Sequence, residues 1–120
     1  MTKKEIAKSF LKLAGMGDVD TAYNNFVADE FIHHNQYFEG SRKALKQAMK
    51  EAHQKSPNKA VEIKQCFQDG DIIITHSLVQ KKDMDIAVVH IFKFNNNKIV
   101  ELWDLGQTIN KDSPNQNGLF

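Results

Sequence analysis

Between Lys3 and Gly15 apolar side chains recur every three or four positions, and this spacing predicts a helix with Ile6, Phe10 and Leu13 on one face. Thr2 followed by Glu5 three residues later has the form of a capping box, and Gly15 and Gly17 end the run. Asp18 stands where it could cap a second, shorter helix carrying Ala22, Tyr23 and Phe26. Phe31, Ile32, His33, His34 and Asn35 then read as a short strand or an extended loop. A third helix opens at Gly40 and Ser41, with Leu45, Ala48, Met49 and Ala52 on one face and Arg42, Lys43, Lys46, Gln47 and Lys50 on the other.

From Ala60 onward the period drops from about 3.6 to 2. Strands are predicted at Val61 to Gln68, Ile72 to Lys81, Asp85 to Asn95 and Lys98 to Thr108, with Asp69-Gly70 and Asn95-Asn96-Asn97 as hairpin turns and Lys82-Asp83 as a weaker one. Helices followed by a meander make an α+β domain whose sheet buries one face against the helices. The expected organisation is a single domain over 1–120, mainly helical over 1–55 and antiparallel sheet over 60–108. The segment 110–120 is a polar tail ending in Leu119 and Phe120.

Composition adds limits rather than direction. The 120 residues suit one hydrophobic core, and 16 basic against 15 acidic side chains leave a formal charge of +1, which carries no footprint for nucleic acid. No apolar stretch approaches the length that spans a bilayer, and the N-terminal segment lacks the form of a signal peptide, so the expected compartment is the cytoplasm. Cys66 is the one cysteine, which excludes an intrachain disulfide; its setting between Val61 and Phe67 predicts a small core residue.

Strand alternation singles out the candidate chemistry. Ile86, Val88, His90, Phe92 and Phe94 share one face of their strand, which places an imidazole in an apolar row. Val100, Leu102, Asp104 and Gly106 do the same for a carboxylate, with Trp103 on the opposite face. Ile72, Ile74, His76 and Leu78 form a third such row, while His33 and His34 point to opposite sides, so at most one enters a given cavity. Imidazole and carboxylate groups in an apolar hollow suit proton transfer beside a carbonyl, because desolvation moves a pKa and strengthens hydrogen bonds to an enolate. A metal site would need His34, His76, His90 and Asp104 to converge, and none of them has the tight spacing of common zinc motifs, so no metal is expected.

These residues also carry a resemblance. The runs Phe31 to Asn35, Asp69 to Asp71, Val89 to Phe94, Lys98 to Asp104 and Asn115 to Phe120 resemble SnoaL-like proteins of the nuclear transport factor 2-like superfamily, nearest to the branch described as aldol-condensation enzymes. The resemblance implies a cone-shaped α+β fold, three N-terminal helices packed in a curved antiparallel sheet around a pocket, and frequent homodimers through the sheet. It aligns His90 with the oxyanion-donor position of ketosteroid isomerases, places the isomerase base near His34, and matches Asp104 to the acid/base aspartate of the cyclases. Imidazoles replace carboxyls at two of these positions, which argues against steroid isomerisation.

The expected activity is cofactor-independent acid/base chemistry next to a carbonyl, in an aldol condensation, an isomerisation or a related elimination. Asp104, His90 and His34 are the catalytic candidates; Asn35, His76, Trp103 and Phe92 are the substrate-binding ones. The alternative is a non-catalytic module that binds a small apolar ligand in the same cavity. A purely structural dimerisation domain is less attractive, since it would leave buried polar groups unpaired at about 1–3 kcal/mol each.

Overall fold

The computed structural model describes residues 1–120. Helix α1 spans Lys3–Gly15, and its capping box is complete: the Thr2 hydroxyl accepts from the Glu5 N–H at 3.1 Å while the Glu5 carboxylate accepts from the Thr2 N–H at 3.2 Å. Helix α2 follows at Val19–Phe26, where Asp18 stands at the N-cap but makes no side-chain capping bond, contrary to the sequence expectation. Strand β1 runs from Val27 to His34, longer than the stretch expected from Phe31 onward. Helix α3, Arg42–Lys55, starts at Ser41, whose hydroxyl accepts from the Ala44 N–H.

Strands β2 (Asn58–Asp69), β3 (Ile72–Lys81), β4 (Asp85–Asn95) and β5 (Lys98–Thr108) complete the chain's regular structure, the last three with the limits the alternation predicts. They form one curved sheet in the order β1-β5-β4-β3-β2. The sheet over 60–108 is antiparallel as expected, and β1 adds a parallel strand at one edge. There β1 lies parallel to β5, with His34 opposite Trp103, because the whole of α3 and β2 to β4 intervenes and returns the chain in the same direction.

The core lies between the inner sheet face and the helices. Phe10 of α1 stacks edge-on against Tyr23 of α2 at 5.5 Å and against Phe92 of β4 at 6.1 Å, and Tyr23 meets Phe31 of β1 at 6.1 Å. Leu45, Ile73, Ile99 and Leu102 are also fully enclosed, and Cys66 packs partly buried against this cluster.

Two face assignments need correction. On β5 the core face carries Ile99 rather than Val100, because the β4–β5 register slips between Lys93 and Phe94 and leaves an extra residue on β5. On β3 the inward row is Ile73, Thr75 and Ser77, all essentially inaccessible, so Ile74, His76 and Leu78 face outward. A run with apolar residues at both parities does not by itself say which side faces the core. No helix of the chain is long and apolar enough to cross a membrane.

Candidate functional site

The antiparallel register of β4 and β5 sets His90 directly opposite Asp104. Both side chains point to the inner face, and His90 Nε2 lies 3.2 Å from Asp104 Oδ1. The parallel pairing of β1 with β5 brings in the third member: with His34 opposite Trp103, the next residue, Asn35, comes level with Asp104. Its Nδ2 donates to Asp104 Oδ2 at 2.8 Å. The carboxylate is thus held on both oxygens by neighbours on either side of its strand.

Asn35 is itself fixed. Its Oδ1 accepts from the Tyr37 N–H at 3.0 Å, which assigns the amide nitrogen to Asp104, and its backbone N–H donates to His33 Nδ1 at 3.1 Å. His33 is buried, and its Nε2 bonds the Glu39 carbonyl oxygen at 2.6 Å. A ring nitrogen that accepts at Nδ1 carries its proton at Nε2, so the neutral Nε2–H tautomer satisfies both contacts. The sequence reading chose His34 over His33. The available signal was Phe31: a core residue at that position puts His33, two residues on, on the inner side as well.

These groups border a cavity of about 580 Å3 between the helices and the inner sheet face. Phe10, Leu11 and Ala14 of α1, Met49 of α3, and Val79 and Val88 of the sheet give it largely apolar walls, with Tyr37 at its edge. Ser77 Oγ, Thr75 Oγ1 and His90 Nδ1 are buried without a protein partner, and Thr75 stands opposite His90 in the β3–β4 register. Orphaned polar atoms of this kind cost about 1–3 kcal/mol each, a penalty more often found at sites than in inert cores.

Burial pushes the Asp104 carboxyl upward, but the hydrogen bond and charge of His90 and the Asn35 amide bring it below the ordinary value of 3.8. Asp104 is therefore ionised at neutral pH. It is equipped to accept a proton rather than to give one.

The remaining candidates are dispersed. His34 borders the cavity, but its ring stacks on Trp103 at 4.8 Å and bonds Glu101 at 2.6 Å, half exposed among outward-facing side chains. Trp103, expected to bind substrate, is engaged in that stack and does not line the cavity. His76 lies on the outer sheet face against the ring of Phe120 at 4.7 Å, and Phe92 is sealed in the core beneath His90, 6.0 Å from its ring. The four groups of the metal reading do not converge, because His76 and His90 occupy opposite faces.

Comparison with known proteins follows the same line. The family model for SnoaL-like polyketide cyclases matches residues 4–110. Among solved structures, a nuclear transport factor 2-like protein of unknown function from Burkholderia xenovorans superposes with a TM-score of 0.74 at 19% identity, covering 93% of this chain and 88% of that one. A candidate polyketide cyclase from Acidithiobacillus ferrooxidans gives 0.73 at 16% identity, covering 88% and 89%. An LEH-like epoxide hydrolase from M. tuberculosis gives 0.68 at 16% identity, covering 88% and 82%. No curated protein matches. At such identities the superpositions show a shared fold, while the match over nearly the whole chain places this protein in the SnoaL-like polyketide cyclase family.

Proposed function

We propose that the protein is a cofactor-independent enzyme that removes a proton from the carbon next to a carbonyl of a small, largely apolar substrate. The observation that carries this reading is the Asn35–Asp104–His90 row, an ionised carboxylate held on both oxygens at the wall of an apolar cavity. Asp104 accepts the proton: the C–H bond breaks, an O–H bond forms, and the electron pair moves onto the carbonyl oxygen. The second amide hydrogen of Asn35 donates to that oxygen while His90 holds the carboxylate, in surroundings where a fixed donor counts for more than in water. Return of the proton to another carbon gives isomerisation. Attack of the enolate on a second carbonyl of the same molecule gives an aldol closure, and loss of a β-substituent gives elimination.

His34 keeps only a subsidiary place in this scheme, as a residue at the cavity edge. Homodimerisation through the sheet and a cytoplasmic location belong to the same proposal; exposed Phe67 and Leu105 on the outer face support the former.

Non-catalytic ligand binding is the second reading, and one observation favours it. General bases work best with a pKa near the operating pH, whereas Asp104 is held low. The test is hydrogen–deuterium exchange at the α-carbon of methyl ketones and β-diketones, followed by NMR with wild type, Asp104→Asn and His90→Ala. Catalysed exchange lost in both variants supports the enzyme; ligand binding with no exchange above buffer in the wild type supports the binding module.

A further inference from the structure

The cavity has a second polar end that the proton-transfer scheme does not use. Lys81 at the close of β3, His53 in the last turn of α3 and Asn58 at the start of β2 all border it. Asn58 stands opposite Lys81 in the β2–β3 register, so two strand ends meet the C-terminus of a helix there. Asn58 Nδ2 donates to the Gly15 carbonyl at 2.7 Å, which leaves Asn58 Oδ1 as an acceptor; that atom and His53 Nδ1 are buried without a protein partner.

Lys81 supplies the charge. Its Nζ donates to the Ser56 carbonyl at 2.6 Å, which occupies one of three donors, and no carboxylate lies within ion-pair distance of it. Lys81 and Asp104 are the only Lys, Arg, Asp or Glu side chains that border the cavity. One negative pole and one positive pole are therefore separated by apolar walls. Lys81 lies six residues along β3 from Thr75, which is level with His90 and Asp104, a distance of about 20 Å in a fully extended strand and less in this curved one.

We propose that Lys81, with His53 and Asn58, is an anchoring site for a carboxylate at the far end of the substrate, which makes the substrate class a keto acid with an apolar middle. Lys81 and His53 donate to the carboxylate, and Asn58 Oδ1 accepts from a hydroxyl or water beside it. Burial lowers the Lys81 ammonium from its ordinary pKa, and an anion at this position would offset that cost. The substrate class rests on the carbonyl chemistry proposed above, but the anchor can be tested without it.

The probes are 10-oxoundecanoate and its methyl ester, with binding measured by calorimetry in wild type, Lys81→Gln and Lys81→Arg. Lys81→Gln retains a donor for the Ser56 carbonyl and lacks the charge. The wild type is expected to bind the acid about 5- to 10-fold more tightly than the ester, a preference lost in Lys81→Gln, kept in Lys81→Arg and reduced by added salt. Equal affinity for acid and ester in the wild type, a preference that survives Lys81→Gln, or no binding of the acid overturns the anchor. Deuterium exchange beside the ketone of the ester reports the proton-transfer reading separately. Exchange without acid preference sinks the anchor alone, and acid preference without exchange sinks the enzyme reading alone.

Discussion

Asn35 Nδ2 lies 2.8 Å from Asp104 Oδ2 and joins residues 69 positions apart. The contact exists because β1 and β5 run parallel, and in the cavity wall it joins a neutral amide to an ionised carboxylate. Replacing Asn35 by Ala removes a hydrogen bond to the charged form of the carboxyl. The Asp104 pKa is then expected to rise, measured by carbon-detected NMR titration, and stability at pH 7 to fall by about 1.5–3 kcal/mol in urea unfolding. An unchanged Asp104 titration would show that the amide does not hold the carboxylate in solution.

Asp104→Asn preserves the shape of the side chain and removes the proton acceptor. Exchange at the α-carbon of a bound ketone is expected to slow by about 10²–10⁴-fold, with the circular dichroism spectrum unchanged. His90→Ala should slow it as well, through loss of a donor beside the same carboxylate.

Acid should weaken the fold through this residue in a definite window. The folded carboxyl lies below its ordinary value of 3.8, so as pH falls the unfolded chain takes up the proton first. The contribution is complete above that value and disappears as pH drops through the folded value. Glu5 and Asp20 are lowered too, so the stability difference between wild type and Asp104→Asn isolates the effect. That difference is expected to shrink below about pH 4. A difference independent of pH from 7 to 2 would contradict a lowered carboxyl pKa in the folded state.

His76 lies outside the cavity, and its substitution tests that placement. In His76→Ala, ketone exchange should stay within about a factor of two of wild type, while the aromatic proton signals of Phe120 shift because their ring partner is gone. A large loss of exchange with unmoved Phe120 signals would return His76 to the site.

Gly17 adopts φ +99°, and a Cβ placed there would come within 2.4 Å of His53 Nε2 at the cavity wall. Gly17→Ala is expected to cost about 1–3 kcal/mol in thermal or urea unfolding. Adding His53→Ala relieves the contact but not the left-handed backbone, so only part of the loss should be recovered.

Much of the fold was readable from local pattern. The Thr2–Glu5 box, the apolar stripe of α1 and the turns at Asp69-Gly70 and Asn95 to Asn97 each depend on residues a few positions apart, and β3, β4 and β5 have the limits that alternation predicts. His90 and Asp104 were legible as polar groups in apolar rows for the same reason.

The errors lie where contacts between distant segments decide. β3 carries apolar residues at both parities, so the sequence pattern could not tell that Thr75 and Ser77 face the core and His76 faces out. One extra residue in β5 moved Ile99 inward at the expense of Val100, and the shift becomes visible only when β5 is paired with β4.

Local spacing alone thus determined the helices, the limits of β3 to β5 and the candidates His90 and Asp104, because 3.6- and 2-residue periods record burial directly in the chain. The pairing of the candidate Asn35 with Asp104, the support it receives from His33, and the Lys81 pole opposite were decided by tertiary structure. Their positions depend on a parallel pairing and on strand ends that meet across the cavity, and no local period records which strand will lie beside which.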